Sequence, residues 1–426
     1  VERIMLAPGV YLNTIEAQKF NRCRISLHFR FPASRARATA HALLPLVLDR
    51  GYADCPDMTE LSRRLAALYG ADLSVNLIAN GADRILSVSI SGIRDAFALD
   101  GEDLTAQYAA IALGVAFRPY LVDGCFDTEA VEIEKDKLKK RLQAEINDKR
   151  LYCIRQARRK FYGDAPEGIE RDGYLEEVPG LTPAELYEAY QEILRTATLD
   201  VMVLGADPAA ICVQLEQAMA GIERAPAALA GFTAQPRALP RHFVEKLPGV
   251  TQAKLCMLFT SAAPLEVEEI DVCRLAMSLF GGSDRSRLFL NVREKQSLCY
   301  YCGSSLQSAV GCMTVDSGVE PDKAEEAQAA ILAELDRLCA GPIEEEELED
   351  CRRGLLNGLE SLADSLSGLE NWYYMEICRG GEVRTPAQSA ARLRAVTREQ
   401  VRALLARFSF SVAYLVTSPE GGADHA

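Results

Sequence analysis

The sequence predicts an α+β protein of two duplicated domains, each a mostly antiparallel sheet covered by helices on one face. Three observations predict it. Leu181-Thr-Pro-Ala-Glu-Leu-Tyr, leading into Thr198-Leu-Asp-Val-Met-Val-Leu204, is echoed by Val396-Thr-Arg-Glu-Gln-Val-Arg, leading into Phe410-Ser-Val-Ala-Tyr-Leu415. At nearly the same spacing, Phe126-Asp-Thr-Glu-Ala-Val-Glu is echoed by Ile343-Glu-Glu-Glu-Glu-Leu-Glu. A repeat that long is a whole domain rather than a solenoid unit. Each half mixes hairpin-like strands with long helices, the pattern of an α+β layer. Between the halves, residues 223–248 hold Pro226, Pro236, Pro240 and Pro248 with little periodicity, the composition of a linker. The expected domains are therefore 1–222 and 249–426.

In the first half, alternating β-prone residues predict strands at Gly9–Thr14 and Cys23–Phe31. Ala36–Leu48 is apolar and reads as a helix kinked by Pro45. Met58–Leu68 follows as a helix, with Asp57 as N-cap and Gly70 as its stop. Leu73–Ile78 and Ile85–Ile90 form a hairpin through Asn80-Gly81. After a helix at Leu104–Ala116 comes the longest helical candidate, Thr128–Tyr162, free of Pro and Gly, with Leu138, Leu142 and Ile146 at four-residue intervals. Unbroken it would run ~50 Å at 1.5 Å per residue, so a bend or break is expected. Thr182–Arg195 is a helix that leads into a strand at Asp200–Leu204.

The second half restarts the order. A strand is expected at Lys254–Thr260, then a helix at Val267–Leu279. Strands follow at Leu298–Leu306 and Cys312–Ser317, then a helix at Lys323–Leu338. A long helical region spans Glu344–Cys378, and the close is a helix at Arg398–Arg407 and a strand at Phe408–Leu415.

Composition excludes several functions. Forty-seven Lys plus Arg against sixty-one Asp plus Glu leave a net charge of −14, which opposes nucleic acid and anionic membranes as partners. Thirteen cysteines, odd in number and scattered from Cys23 to Cys378, read as reduced thiols rather than a disulfide framework. The start, VERIMLAPGV, lacks the pattern of a signal peptide. Runs such as ALLPLVL at 42–48 are far shorter than the ~20 residues of a membrane span. The expected compartment is the cytoplasm.

One stretch carries the recognition chemistry. Gly281 to Tyr301 reads GGSDRSRLFLNVREKQSLCYY. Ser286-Arg-Leu-Phe, Val292-Arg-Glu-Lys and Leu298-x-Tyr300 within it, on duplicated domains of this size, resemble the pitrilysin/insulinase family of zinc peptidases, most closely the two-domain processing-peptidase branch. The resemblance covers nearly the whole chain. In that family the Arg and Tyr of this segment hold the substrate backbone, which places those roles on Arg293 and Tyr300. Their chemistry suits it, since Arg offers a fork of donors for carbonyl oxygens and Tyr a further donor. Tyr301 is the rival for the Tyr role, because strand neighbours point to opposite faces.

The resemblance also implies a metal site that these residues lack. Active members carry His-x-x-Glu-His, two zinc ligands with a general base between them, completed by a Glu on a later helix. With His41 as the first His, Leu44 stands for the base and Pro45 for the second ligand. If Glu134 is the acidic residue seven positions before the third ligand, that ligand's place falls on Arg141, and Glu145 lies a helical turn further on. The four histidines, His28, His41, His242 and His425, include no pair at helical spacing. No metal and no cofactor are expected.

The remaining motifs read as structural. Cys299-x-x-Cys302 sits on a strand, where positions three apart face opposite sides. Trp372-Tyr373-Tyr374 is core packing, and Gly281-Gly282 is a turn without the Lys-Ser/Thr of a phosphate loop. The sequence thus points to a non-catalytic, peptide-gripping subunit, inactive alone, whose zinc site is supplied by a homologous partner chain. The alternative is an inert scaffold, possibly a homodimer, with no role in proteolysis.

Overall fold

Along the third strand, Cys23, Ile25, Leu27, Phe29 and Phe31 alternate with Arg24, Ser26, His28 and Arg30, so one face is apolar and the other polar. In the computed structural model, which describes residues 1–234 and 239–419, that strand is the middle of a six-stranded sheet. The first half runs β1 (Glu2–Ala7), β2 (Val10–Ile15), β3 (Arg22–Pro32), α1 (Ala38–Leu48), α2 (Met58–Ala67), β4 (Asp72–Asn80), β5 (Asp83–Ile93) and α3 (Leu104–Phe117). The two-residue strands β6 (Leu121–Val122) and β7 (Cys125–Phe126) lead to α4 (Thr128–Gln143), α5 (Lys149–Tyr162), α6 (Pro183–Thr196), β8 (Thr198–Leu204) and α7 (Pro208–Met219). The sheet order is β1-β2-β8-β3-β5-β4, antiparallel throughout except for β2 beside β8.

Local chemistry accounts for these elements. Gly81 takes φ +62°, the positive value a two-residue hairpin needs at its first central position, and closes β4 onto β5. Asp57 caps α2, accepting from the Thr59 and Glu60 amides at 2.7 and 2.9 Å. The apolar face of β3, with Val88, Ile90, Val201 and Val203 beside it, packs against Leu43 of α1, Tyr108 and Ile111 of α3, and Ala189 and Ile193 of α6.

The second half runs β9 (Arg241–Lys246), β10 (Ala253–Ser261), α8 (Ile270–Met277), β11 (Cys299–Gln307), β12 (Cys312–Val319), α9 (Ala324–Ala340), α10 (Glu345–Leu362), α11 (Leu366–Arg379), α12 (Pro386–Ala395), α13 (Arg398–Leu405) and β13 (Phe408–Thr417). Its sheet order is β11-β12-β10-β13-β9, again antiparallel except for β13 beside β9. Strand for strand this repeats β4-β5-β3-β8-β2 of the first half, so the duplication read from the sequence is a duplication of topology.

The units are not contiguous in sequence. The first comprises Val1–Gln143, Ile169–Ala230 and Asp364–Met375; the second takes Ala144–Gly168, Gly231–Ala363 and Glu376 onward. This differs from the uninterrupted domains 1–222 and 249–426 expected from the sequence. The long helix expected at 128–162 breaks at a 3-10 turn, Ala144–Asn147, and Asp148 caps a new helix. Cys153, Ala157 and Tyr162 of α5 then join a core with Cys256, Cys312 and Val412 of the second sheet. Reciprocally, the start of α11 packs on the polar face of β3, where Glu370 meets Arg24 and His28 and Tyr374 stacks on His28. A helix's apolar stripe does not say which sheet it will cover, so this exchange is invisible in the pattern. The stretch read as linker also yields a strand, β9, whose alternating exposure marks it as a sheet edge.

No helix among the described residues is long and apolar enough to cross a membrane.

Candidate functional site

Position 41, where the resemblance puts a first zinc ligand, lies in α1. The helix is buried nearly all round, and His41 is 4 % exposed with its ring edge-on to Phe31 at 4.8 Å. Neither ring nitrogen has a hydrogen-bond partner among the described residues. Burial lowers its pKa to about 3, with the charges of Arg37 and Arg84 acting in the same direction. Leu44 is fully buried one turn on, and Pro45 follows it inside the helix. Neither side chain has a lone pair for a cation.

The acidic residues nearby are already committed. Glu134 of α4, 2 % exposed, accepts from Arg50 at 2.8 Å and from Lys137 at 2.7 Å. Arg141 is exposed. Glu145 belongs to the second unit, where it pairs with Arg155 at 3.0 Å. A divalent ion does not fit residues of this kind. Among the described residues, no cluster of three or more His, Cys, Asp and Glu is arranged to hold a metal.

The other histidines have structural surroundings. His28 on β3 lies 3.1 Å from a Glu370 oxygen and stacks on Tyr374 at 4.0 Å, while Arg24 bonds the second oxygen of the same carboxylate. Burial alone would raise the Glu370 pKa, but the hydrogen bond and charge of His28, with the charge of Arg24, bring it down to about 2. Trp372, Tyr373 and Tyr374 are all buried, consistent with packing. His242 on β9 meets Phe410 edge-on at 5.5 Å. His425 lies outside the described residues.

The Arg293–Tyr300 segment is built in the second unit. Gly281 lets the chain approach β11 so closely that a Cβ there would stand 2.7 Å from the Ser304 amide nitrogen. Residues Leu288–Lys295 form π-helical turns that bury Leu288 and Val292, and such turns recur at functional sites. Arg287 holds Glu347 of α10, and Asn291 donates to the buried Glu334 of α9 at 2.9 Å. A tight turn with Ser297 at φ +52° follows, closed by the Leu298 amide on the Val292 carbonyl at 3.2 Å. It brings Arg293 and the start of β11 to one corner.

There Arg293 keeps 39 % of its side chain exposed, lies over the Phe289 ring at 4.6 Å and approaches Glu294 at 3.6 Å. Tyr300 is 55 % exposed on the edge strand, its hydroxyl donating to Glu320. Tyr301 turns inward: its ring lies between Arg150, at 4.6 Å, and Lys254, at 5.5 Å, across Gly318. Sequence spacing conceals which of the two tyrosines keeps a partner in the ladder. Cys299 pairs with Val319 and Tyr301 with Gly318, leaving Tyr300 as the extra residue of a β-bulge.

The family described as Peptidase M16 inactive domain matches residues 180–355, a stretch that contains the Arg293–Tyr300 segment. The curated "Probable inactive metalloprotease YmfF" of Bacillus subtilis (strain 168) is 25% identical over 97% of both chains. The chain is an M16-family peptidase homologue. Among solved structures, the M16 homologue is similar to a conserved protein from Enterococcus faecalis V583, with TM-score 0.88 and 24% identity over 99% of both chains. It is also similar to a protease from Helicobacter pylori, with TM-score 0.81 and 11% identity over 98% of this chain and 99% of that one. At those identities the likeness is one of fold. What sequence spacing missed in the M16 homologue is the role of Glu370, which carries no motif and finds Arg24 and His28 only after folding.

Proposed function

We propose that this chain is an inactive M16-family homologue that serves as the peptide-gripping subunit of a two-chain peptidase. A homologous partner chain with an intact zinc motif supplies the metal. One observation carries this reading: Leu44 holds the place of the general base, Pro45 that of the second zinc ligand and Arg141 that of the third, while Arg293 stands exposed on the π-helical turns and Tyr300 on an edge strand. An edge strand offers unpaired backbone groups to an extended peptide, which binds largely independently of its sequence. The relatives' printed names, one an inactive domain and one a probable inactive metalloprotease, support the inert half of the reading. All thirteen cysteines are free thiols, in keeping with a cytoplasmic home.

The test is to purify the chain from its own cells, identify what accompanies it, and assay peptide hydrolysis with and without that companion. The chain alone is expected to be inert, carrying no stoichiometric zinc. Arg293→Ala with Tyr300→Phe is expected to abolish turnover by the mixed complex while leaving assembly intact. Turnover by the isolated chain that a chelator abolishes would refute the reading.

The second reading, an inert scaffold forming a homodimer, draws on the intrachain contacts of Tyr300 with Glu320 and of Arg293 with Phe289. It predicts that the same double variant leaves every cellular function unchanged.

A further inference from the structure

Cys299 and Cys302 flank the bulge. On a regular strand, residues three apart face opposite sides of the sheet. Here the ladder pairs Cys299 with Val319 and Cys302 with Ser317. Val319 and Ser317 are two apart on β12 and share a face, so their partners share it too. By expelling Tyr300 from the ladder, the bulge gives the two cysteines the side-by-side placement of next-but-one neighbours.

The neighbouring Cys302 thiol lowers the pKa of Cys299 to about 7 against the opposing effect of burial, with Ser317 and the charge of Arg293 adding to the decrease. Cys299, together with burial, raises the pKa of Cys302 in turn. The thiols buried elsewhere behave in the opposite way: desolvation raises Cys153, Cys256, Cys273 and Cys312. Cys299 also retains 9 % exposure, whereas Cys256 and Cys312 retain 0 % and 1 %. A stabilised thiolate beside a second thiol is the arrangement of an oxidation-sensitive pair.

We propose that Cys299 and Cys302 form an intrastrand redox dithiol, in which a hydroperoxide oxidises Cys299 and Cys302 resolves the product to a disulfide. The Cys299 thiolate attacks one peroxide oxygen. The O–O bond breaks, and the departing hydroxide or alkoxide takes a proton from solvent. The Cys302 sulfur then attacks the sulfenic sulfur, forming the S–S bond and breaking S–O. The hydroxide released takes the Cys302 proton and leaves as water. Two electrons pass from the thiols to the peroxide, giving one disulfide, one alcohol or water, and one further water. The disulfide ties the strand on both sides of Tyr300, so it holds the bulge that displays that side chain. Its effect on peptide gripping rests on the function proposed above; the dithiol chemistry does not.

The experiment treats the full chain with stoichiometric hydrogen peroxide, blocks remaining thiols with iodoacetamide and maps the products by mass spectrometry. The peptide carrying Cys299 and Cys302 is expected to lose two hydrogens before other cysteines react, and to regain them with dithiothreitol. In the reduced chain at pH 7, Cys299 is expected to alkylate about tenfold faster than Cys256 or Cys312. Cys302→Ser is expected to trap a dimedone-reactive sulfenic acid at Cys299 and to move its alkylation midpoint upward from about 7. Oxidation that reaches other cysteines first, or an alkylation midpoint for wild-type Cys299 near that of a free thiol, would overturn the proposal. Both readouts use the unmodified chain, so they stand even if the variant does not fold. If the dithiol forms but Arg293→Ala with Tyr300→Phe leaves peptide turnover intact, only the gripping role fails.

Discussion

Glu134 accepts from the Arg50 guanidinium at 2.8 Å inside the first unit, and the Lys137 ammonium closes on the same oxygen at 2.7 Å. The two cations are not equivalent. Arg50 keeps 26% of its side chain exposed and Lys137 keeps 55%. Removing the more buried partner strands a carboxylate in the interior; removing the exposed one disturbs a screened contact. Arg50→Ala is therefore expected to lower stability by about 1–3 kcal/mol, and Lys137→Ala by less than about 1 kcal/mol. Urea unfolding of both variants decides it, and equal losses would contradict the ranking.

His41 makes stability depend on pH. An unfolded histidine titrates near 6.5, whereas burial holds this one at about 3. Between those values the unfolded chain binds a proton that the folded chain refuses. Its contribution is complete above pH 6.5 and declines as the pH falls to about 3, by up to about 1.4 kcal/mol per pH unit. His41→Leu removes this slope. Relative to the wild type, the variant is expected to gain about 2 kcal/mol between pH 7 and pH 5. Parallel unfolding profiles would show that His41 does not stay neutral.

Glu370 titrates with the opposite sense of charge. Its folded pKa lies at about 2, below the ordinary 4.5. The stability it contributes is complete above pH 4.5 and is lost as the pH falls through about 2. Glu370→Gln leaves Arg24 without its counter-charge on β3 and is expected to cost about 2–4 kcal/mol at pH 7. Below pH 2 the wild type and the variant should converge. A constant difference across that range would rule out the carboxylate as its source.

Gly92 on β5 is expected to tolerate no side chain. A Cβ there would stand 2.2 Å from the ring of Tyr108, which is fully buried in α3. Gly92→Ala is expected to cost about 1–3 kcal/mol through overpacking. Combined with Tyr108→Leu, the loss should be smaller than the sum of the two single losses, because the second change vacates the space the first needs. Thermal melting of the three variants measures this; strict additivity would count against the clash.

Much of the secondary structure was legible because its causes are local. Asp57 capped its helix, Asn80-Gly81 marked the turn between β4 and β5, and the alternation from Cys23 to Phe31 gave β3. Other elements carried too weak a signal. The β1 strand at Glu2–Ala7 is mostly exposed, and α7 and α12 each offer few buried side chains. The strand β9 lay hidden among prolines. At the candidate site, the residue types at 44 and 45 already told against a metal, since a side chain without a lone pair gains none by folding.

By itself the sequence determined the α+β class, the duplication and the absence of the expected zinc ligands, all of which follow from residue identity and short-range periodicity. Only the tertiary structure decided that α5 belongs with the second sheet and the start of α11 with the first, because an apolar stripe records that a helix is covered but not by what. It alone also placed Cys299 and Cys302 on one face. Side-chain parity on a strand holds only while every residue has a partner across the ladder, and a single unpaired residue, Tyr300, reverses it for everything beyond.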